Sequence, residues 1–340
     1  TENASGADVI ITGETNSAFG YTLISGDFNA DSKLDLAVGS ATYSSLTGRA
    51  YVFYNDGSIP TTAATADVII TGETTSNWFG GSSIVAGDLN ADGKTDLAVG
   101  AYSYSTNIGR VYIFYNGSIT TENASGADVI ITGEASGYLG IYLAVGDLNA
   151  DGETDLVVGA QSYSASAGRA YIFYNGSITT ENASGADVII TGESSSLFGN
   201  VLVIADLNTD GRADLIVGAR DYSSQAGRAY IFYNDNSFPA TADAADNILT
   251  GVASSEFATE LAVGDFNADG KIDLIVGAAG YSTGTGQVYF YSGQDNYSWT
   301  LQQQPLGATR VSPQVTGEEM RITGEAASDS FGYTLATGDL

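Results

Sequence analysis

Residues 88–101 read DLNADGKTDLAVGA, nine residues with oxygen-bearing side chains at positions 1, 3, 5 and 9, followed at once by a short apolar run. Near-copies of the loop begin at Asp27 (DFNADSKLD), Asp147 (DLNADGETD), Asp206 (DLNTDGRAD) and Asp265 (DFNADGKID), and a sixth opens at Asp339-Leu340. Successive loops start 61, 59, 59, 59 and 74 residues apart, so each belongs to a larger repeating unit. A unit of that size is too small to bury its own core, which predicts one repeat-built domain over residues 1–340.

Aligned on their loops, the units show four strand-like runs bounded by Gly, Asn, Asp or Ser. In the second unit these are FGGSSIVAG (79–87), TDLAVG (95–100), RVYIFY (110–115) and ADVIIT (127–132). No segment keeps a 3.6-residue apolar period, and 43 glycines would be costly in helices, so the chain reads as all-β. Runs such as YIFY at 171–174 and 230–233 are apolar on both faces, which implies sheets covered on both sides. Short four-stranded sheets at this spacing fit the blades of a β-propeller. A solenoid is the alternative, with repeats of roughly 20–45 residues. The expected fold is a β-propeller of four-stranded blades, five complete repeats plus a partial one, with six or seven blades when complete.

Two regions stand apart. Residues 293–317 (GQDNYSWTLQQQPLGATRVSPQVTG) enlarge the fifth unit and read as a longer loop with an extra strand, or as a binding protrusion. ADVIIT at 7–12 is expected to be a rim strand and FGYTLATG at 331–338 an axial strand of the next blade. Between them two strands are missing, to be supplied by a longer chain or by self-association through the incomplete blade, which would build a filament. The segment TENASGADVIITGE recurs unchanged at 1–14, 121–134 and 180–193, the mark of internal duplication.

Eleven Lys and Arg against 40 Asp and Glu give a formal net charge of −29, which opposes nucleic acid and anionic membrane as partners. Only 15% of residues are charged, against roughly 25% in ordinary soluble domains, so the exterior is expected to be polar and mostly uncharged, as suits an extracellular or cell-surface protein. Six Asn-x-Ser sequons, Asn3, Asn116, Asn123, Asn175, Asn182 and Asn296, are candidate glycosylation sites. Cysteine is absent, which excludes a disulfide framework and Cys-ligated zinc. With no His either, the usual general bases and nucleophiles are missing, and the acidic loops recur where a catalytic site would be unique, so no enzyme is expected. No apolar run reaches the roughly 18–20 residues of a membrane span, so no direct membrane insertion is expected in this segment.

A tight turn aims the side chains at loop positions 1, 3 and 5 at one point, and a carbonyl at 7 and a carboxylate at 9 can complete an oxygen shell. The candidate ligands are Asp27, Asn29, Asp31, Lys33 and Asp35; Asp88, Asn90, Asp92, Lys94 and Asp96; Asp147, Asn149, Asp151, Glu153 and Asp155; Asp206, Asn208, Asp210, Arg212 and Asp214; and Asp265, Asn267, Asp269, Lys271 and Asp273. Lys33, Lys94, Glu153, Arg212 and Lys271 would act through their backbone carbonyls. Three carboxylates and one amide favour Ca²⁺ over Mg²⁺, at about one ion per complete loop. Position 12, where an EF-hand carries Glu, is Val38, Val99, Val158, Val217 or Val276, so the EF-hand is excluded. Metal-free acidic turns are the alternative, at the cost of repulsion among three aspartates.

Around these loops Phe19-Gly20, Phe79-Gly80, Leu139-Gly140 and Phe198-Gly199 precede, Val-Gly-Ser or Val-Gly-Ala follows at 38–40, 99–101, 158–160, 217–219 and 276–278, and Gly-Arg-x-Tyr leads into the third strand. This pattern resembles the FG-GAP repeat of integrin α-subunit propellers, over nearly everything except 293–317. The resemblance implies a propeller with its calcium loops on one face, in a family used outside the cell for adhesion and ligand binding. The same repeats occur in lectin-like and polysaccharide-degrading proteins. The Pro of the family's GAP is absent and the fifth unit reads Phe257-Ala258, neither of which touches a metal ligand.

Arg49, Arg110, Arg169 and Arg228 share one slot before the third strand, with Gln287 in the fifth unit. They read as structural groups bonding carbonyls or a neighbouring acid, or as a carboxylate-binding ring. The third-strand tyrosines read as core or as sugar-stacking rings, and Trp78 as packing. The expected function is an extracellular adhesion or protein-interaction module with structural calcium, meeting a protein or glycan ligand at the cell surface. A carbohydrate-binding lectin and a structural subunit of a cell-surface filament are the alternatives.

Overall fold

Apolar on both faces, the run after each acidic loop belongs in the middle of a covered sheet. The computed structural model describes residues 7–293, 320–323, 330–333 and 335, and places that run as the second strand of five antiparallel sheets. The first sheet comprises Phe19–Gly26, Asp35–Ser40, Arg49–Phe53 and Val68–Thr71. The second comprises Ile84–Gly87, Asp96–Ala101, Arg110–Phe114 and Val129–Thr132. Leu143–Gly146, Asp155–Ala160, Arg169–Phe173 and Val188–Thr191 form the third. Leu202–Ala205, Asp214–Ala219, Arg228–Phe232 and Asn247–Thr250 form the fourth. The fifth holds Phe257–Gly264, Asp273–Ala278, Gln287–Tyr291 and Met320–Thr323. Each is an up-and-down blade in sequence order, the unit from which propellers are built. The chain's contacts gather into two compact units, Thr1–Ile189 and Ile190–Leu340.

In the first unit the two faces of the second sheet feed different cores, as the period of two along a strand requires. Leu97, Val99, Tyr112 and Phe114 pack with Ala37, Val52 and Ile70 of the first sheet. Ala98, Val111 and Ile113 pack with Leu143, Leu156, Val158 and Tyr171 of the third. These side chains are all buried, and it is this stacking of one repeat on the next that stabilises units too small to fold alone.

Three features depart from the sequence reading. The first strand of the second unit is expected over 79–87, but only Ile84–Gly87 pairs, because Phe79 is held instead in a bridge to Gly48 and Gly80 turns the chain at φ +69°. ADVIIT at 7–12 is not the expected rim strand: Thr12 makes a single bridge to Thr62, and Val9 and Ile10 are 47% and 51% exposed. Finally, Glu122–Asn123 adds a short parallel strand to the outer edge of the first sheet, and Glu181–Asn182 does the same for the second. The duplicated TEN segment therefore covers the preceding repeat's open edge, which would otherwise offer unpaired backbone groups. Trp299 and the rest of 294–317, the sequons Asn3 and Asn296, and the loop opening at Asp339 lie outside the described residues.

Between the second and third strands every repeat makes a left-handed turn, with positive φ at Ser44–Leu46, Ser105–Asn107, Ser164–Ser166, Ser223–Gln225 and Ser282–Gly284. Such a run costs L-residues roughly 1–2 kcal/mol each. The next repeat's entry segment holds it: Ser76 and Trp78 donate N–H to the carbonyls of Ser45 and Leu46, and Tyr138 to that of Asn107.

Candidate metal centres

The acidic loops join the first strand to the second at one end of each sheet, and their side chains organise the turn. In the second loop Asp88 accepts the N–H of Asp92 and of Gly93 on its two carboxylate oxygens, Asn90 Oδ1 accepts the same Asp92 N–H, and Asp92 accepts that of Lys94. The pattern repeats at Asp27, Asn29 and Asp31, at Asp147, Asn149 and Asp151, at Asp206, Asn208 and Asp210, and at Asp265, Asn267 and Asp269. Lys33, Lys94, Glu153, Arg212 and Lys271 each bind the position 5 carboxylate through their own N–H. Lys33 also sets its ammonium 3.3 Å from Asp31.

The last aspartate behaves differently. Asp96 is fully buried, accepting the N–H of Leu89 at 2.9 Å on one oxygen and that of Asn116 at 2.8 Å on the other. Asp35, Asp155, Asp214 and Asp273 are held by equivalent pairs of N–H groups. Burial raises the Asp96 carboxyl to about 6; the two N–H groups oppose the rise, and the negative charges of Asp92 and Asp88 add to it. Asp155 and Asp214 are raised to about 6 for the same reasons, and Asp35 and Asp273 are raised likewise.

A hard divalent cation fits this donor chemistry: acidic and amide oxygens in nine residues, already wrapped into one turn, with a buried anion at its base. Each oxygen that accepts one N–H retains a second lone pair for an ion. Among the described residues no three acidic side chains come close enough together to hold an ion, because position 9 faces the backbone and positions 1 and 5 fold onto N–H groups. The loops are preshaped turns rather than closed shells.

The sequons divide by burial. Asn116 and Asn175 are only 7% and 8% exposed. Asn116 Nδ2 donates to the carbonyls of Asp27 at 2.8 Å and Thr95 at 3.1 Å, and Asn175 Nδ2 to those of Asp88 at 2.8 Å and Thr154 at 3.1 Å. A glycan on that nitrogen would replace one of its two hydrogens and so break one of these bonds at a buried position, which opposes glycosylation at these two. Asn123 and Asn182 are exposed N-caps whose Oδ1 accepts the N–H of Ser125 and Ser184.

Five groups that the sequence separates meet at the opposite end of the second sheet. Arg110 donates to Glu73 at 2.6 Å and to Thr132 at 3.0 Å and lies 3.8 Å over the ring of Tyr104, while the Tyr112 hydroxyl donates to the same Glu73. Arg49 with Glu14, Arg169 with Glu134 and Arg228 with Glu193 repeat the clamp. The arginines are thus structural and bind the acid that precedes the first strand of their own blade, and the third-strand tyrosines Tyr51, Tyr112, Tyr171 and Tyr230 are core. The fifth repeat changes both ends together, with Gln287 for Arg and Val252 for Glu.

At that same end of the first unit, Trp78 packs against Tyr102 at 5.8 Å and Tyr102 against Tyr138 at 5.7 Å, all three rings half-buried. Burial, then Tyr21 and Tyr138, push the Tyr102 hydroxyl up to about 12. The corresponding residues elsewhere are Ala18, Leu197 and Glu256 for Trp78 and Tyr138, and Ala41, Gln161, Arg220 and Ala279 for Tyr102. This cluster is a place where nearly identical repeats stop being identical, a signal that aligning the repeats position by position could have found.

Comparison with known proteins adds three relations. The FG-GAP repeat model matches residues 19–53, 80–114 and 143–173, and an FG-GAP-like repeat model matches 206–276. Phosphatidylinositol-glycan-specific phospholipase D of Bos taurus is 28% identical over 281 residues, covering 76% of this chain and 32% of the relative. Integrin alpha-PS2 of Drosophila melanogaster is 34% identical over 172 residues, covering 47% of this chain and 12% of the relative. Among solved structures, the V. cholerae biofilm matrix protein Bap1 aligns with 74% of this chain and 42% of its own at 13% identity and a TM-score of 0.34. The chain therefore spans a third or less of these two sequence relatives. No helix among the described residues is long and apolar enough to cross a membrane.

Proposed function

The chain belongs to the FG-GAP repeat family, related to integrin α propellers, and from that premise we propose that it is an extracellular, calcium-stiffened interaction module without catalytic activity. Calcium at the acidic loops holds one end of each blade, and recognition takes place at the other. The observation that supports this division is the ring cluster of Trp78, Tyr102 and Tyr138, gathered at the sheet end away from the loops and built from positions that vary between repeats. Aromatic rings offer large contact area for little lost side-chain freedom, which suits a recognition surface.

The same rings favour a second reading, a glycan ligand stacked on their faces. One experiment separates the two. The full chain is exposed, in calcium, to arrayed glycans and to immobilised extracellular matrix proteins, beside a variant carrying Trp78→Ala, Tyr102→Ala and Tyr138→Ala. Protein binding that weakens at least tenfold in the variant, with its melting temperature retained, supports the interaction module; glycan binding with the same dependence supports the lectin. Binding that survives all three substitutions contradicts the placement of the site.

A further inference from the structure

Beyond the separate loops, we infer that Asn116 and Asn175 couple them, so that the first three loops take up cations cooperatively; this rests on the calcium reading proposed above. The path is a continuous set of hydrogen bonds inside the first unit. The carbonyl of Asp27, position 1 of the first loop, accepts Asn116 Nδ2 at 2.8 Å, while the N–H of the same Asn116 sits on Asp96, position 9 of the second loop, at 2.8 Å. The step repeats from the second loop to the third: the Asp88 carbonyl accepts Asn175 Nδ2 at 2.8 Å, and Asn175 N–H sits on Asp155 at 2.9 Å. Both asparagines are buried, so neither bond is shared with bulk water.

An ion that fixes the first residue of one loop therefore fixes the strut that positions the last residue of the next. Ordering one loop lowers the cost of ordering its neighbour, and the coupling is reciprocal. The second unit supplies an internal control. Gly293 occupies this slot in the fifth repeat: its N–H still binds Asp273, at 2.7 Å, but it has no amide to reach the fourth loop. The fourth and fifth loops should fill independently.

The test is a calcium titration of the ¹⁵N-labelled full chain, read at the loop amides of Gly93, Gly152, Gly211 and Gly270. Asp31→Asn in the first loop should raise the calcium midpoint at Gly93 by about fivefold or more, the lower end of typical coupling between sites. In an Asn116→Ala background the same substitution should leave Gly93 where it was. If Asn116→Ala fails to fold, Asn116→Asp serves in its place, since it keeps the volume but turns the donor into an acceptor. Asp210→Asn should not move Gly270. A Gly93 midpoint unaffected by Asp31→Asn overturns the coupling while leaving the calcium reading intact. A shift that persists without the Asn116 amide overturns the strut as its carrier. No calcium response at any loop overturns the calcium reading and the coupling with it.

Discussion

Gly48 turns the chain at φ +79°, where an added Cβ would lie 2.1 Å from the Phe79 carbonyl oxygen. Gly48→Ala is expected to destabilise the chain by about 2–4 kcal/mol, read as a lower urea midpoint, since it adds backbone strain to a clash with backbone. Tyr112→Phe removes one bond to Glu73 without opening a cavity, so about 1 kcal/mol is expected in the same assay. Glycopeptide mapping of folded protein secreted by a glycosylating host should find Asn116 and Asn175 bare; a glycan on either would show that its amide strut is dispensable. At this scale the sequence was legible where repetition marked a residue, as with the aspartates and the arginine slot. It misled at Asn116, because a sequon and a buried strut are written with the same three letters, and burial alone tells them apart. The left-handed Ser44-Ser45-Leu46 turn lies in a Tyr-Ser-x-x-x-Gly pattern common to all five repeats, but its handedness was not legible, since local bonds from Thr47 and Gly48 are joined by bonds from Ser76 and Trp78 of the next repeat.

The blade is legible as an element because its strands alternate faces that must both be covered, and the second and third strands form as their composition requires. The first strand of the second blade was over-extended: Phe79-Gly80 reads as strand, yet the glycine turns the chain and the phenylalanine ring packs edge-on against Tyr112 at 5.5 Å. The Arg–Glu–Tyr clamp links an acid at a blade's entrance to the third strand, and only its Gly-Arg-x-Tyr half was visible as a pattern. In the fifth blade, Gln287 bonds Thr323 at 3.1 Å but buries an unsatisfied Oε1. Restoring both partners with Val252→Glu and Gln287→Arg should stabilise the fold by about 1 kcal/mol more than the two single changes summed, measured as a double-mutant cycle of chemical unfolding. Additive effects would show that the fifth blade does not rebuild the clamp.

For the whole molecule the roughly sixty-residue spacing was the decisive signal, because it turned five weak motifs into one architecture. The division into two compact units was not legible, since the period runs on unchanged through Ile189 and Ile190. Five preshaped acidic turns, each with a buried aspartate whose charge is disfavoured by burial and by its neighbours, make a molecule whose stability should depend on divalent cations. Binding at a hundredfold excess over Kd contributes roughly 2.7 kcal/mol per site, and each kcal/mol raises Tm by about 2–4 °C in units of this size. The most direct measurement is the melting temperature of the full chain in saturating calcium against the same chain in EDTA. Calcium-clasped blades require a fall of at least about 10 °C on chelation; an unchanged melting temperature would show that the acidic loops hold the blades without metal.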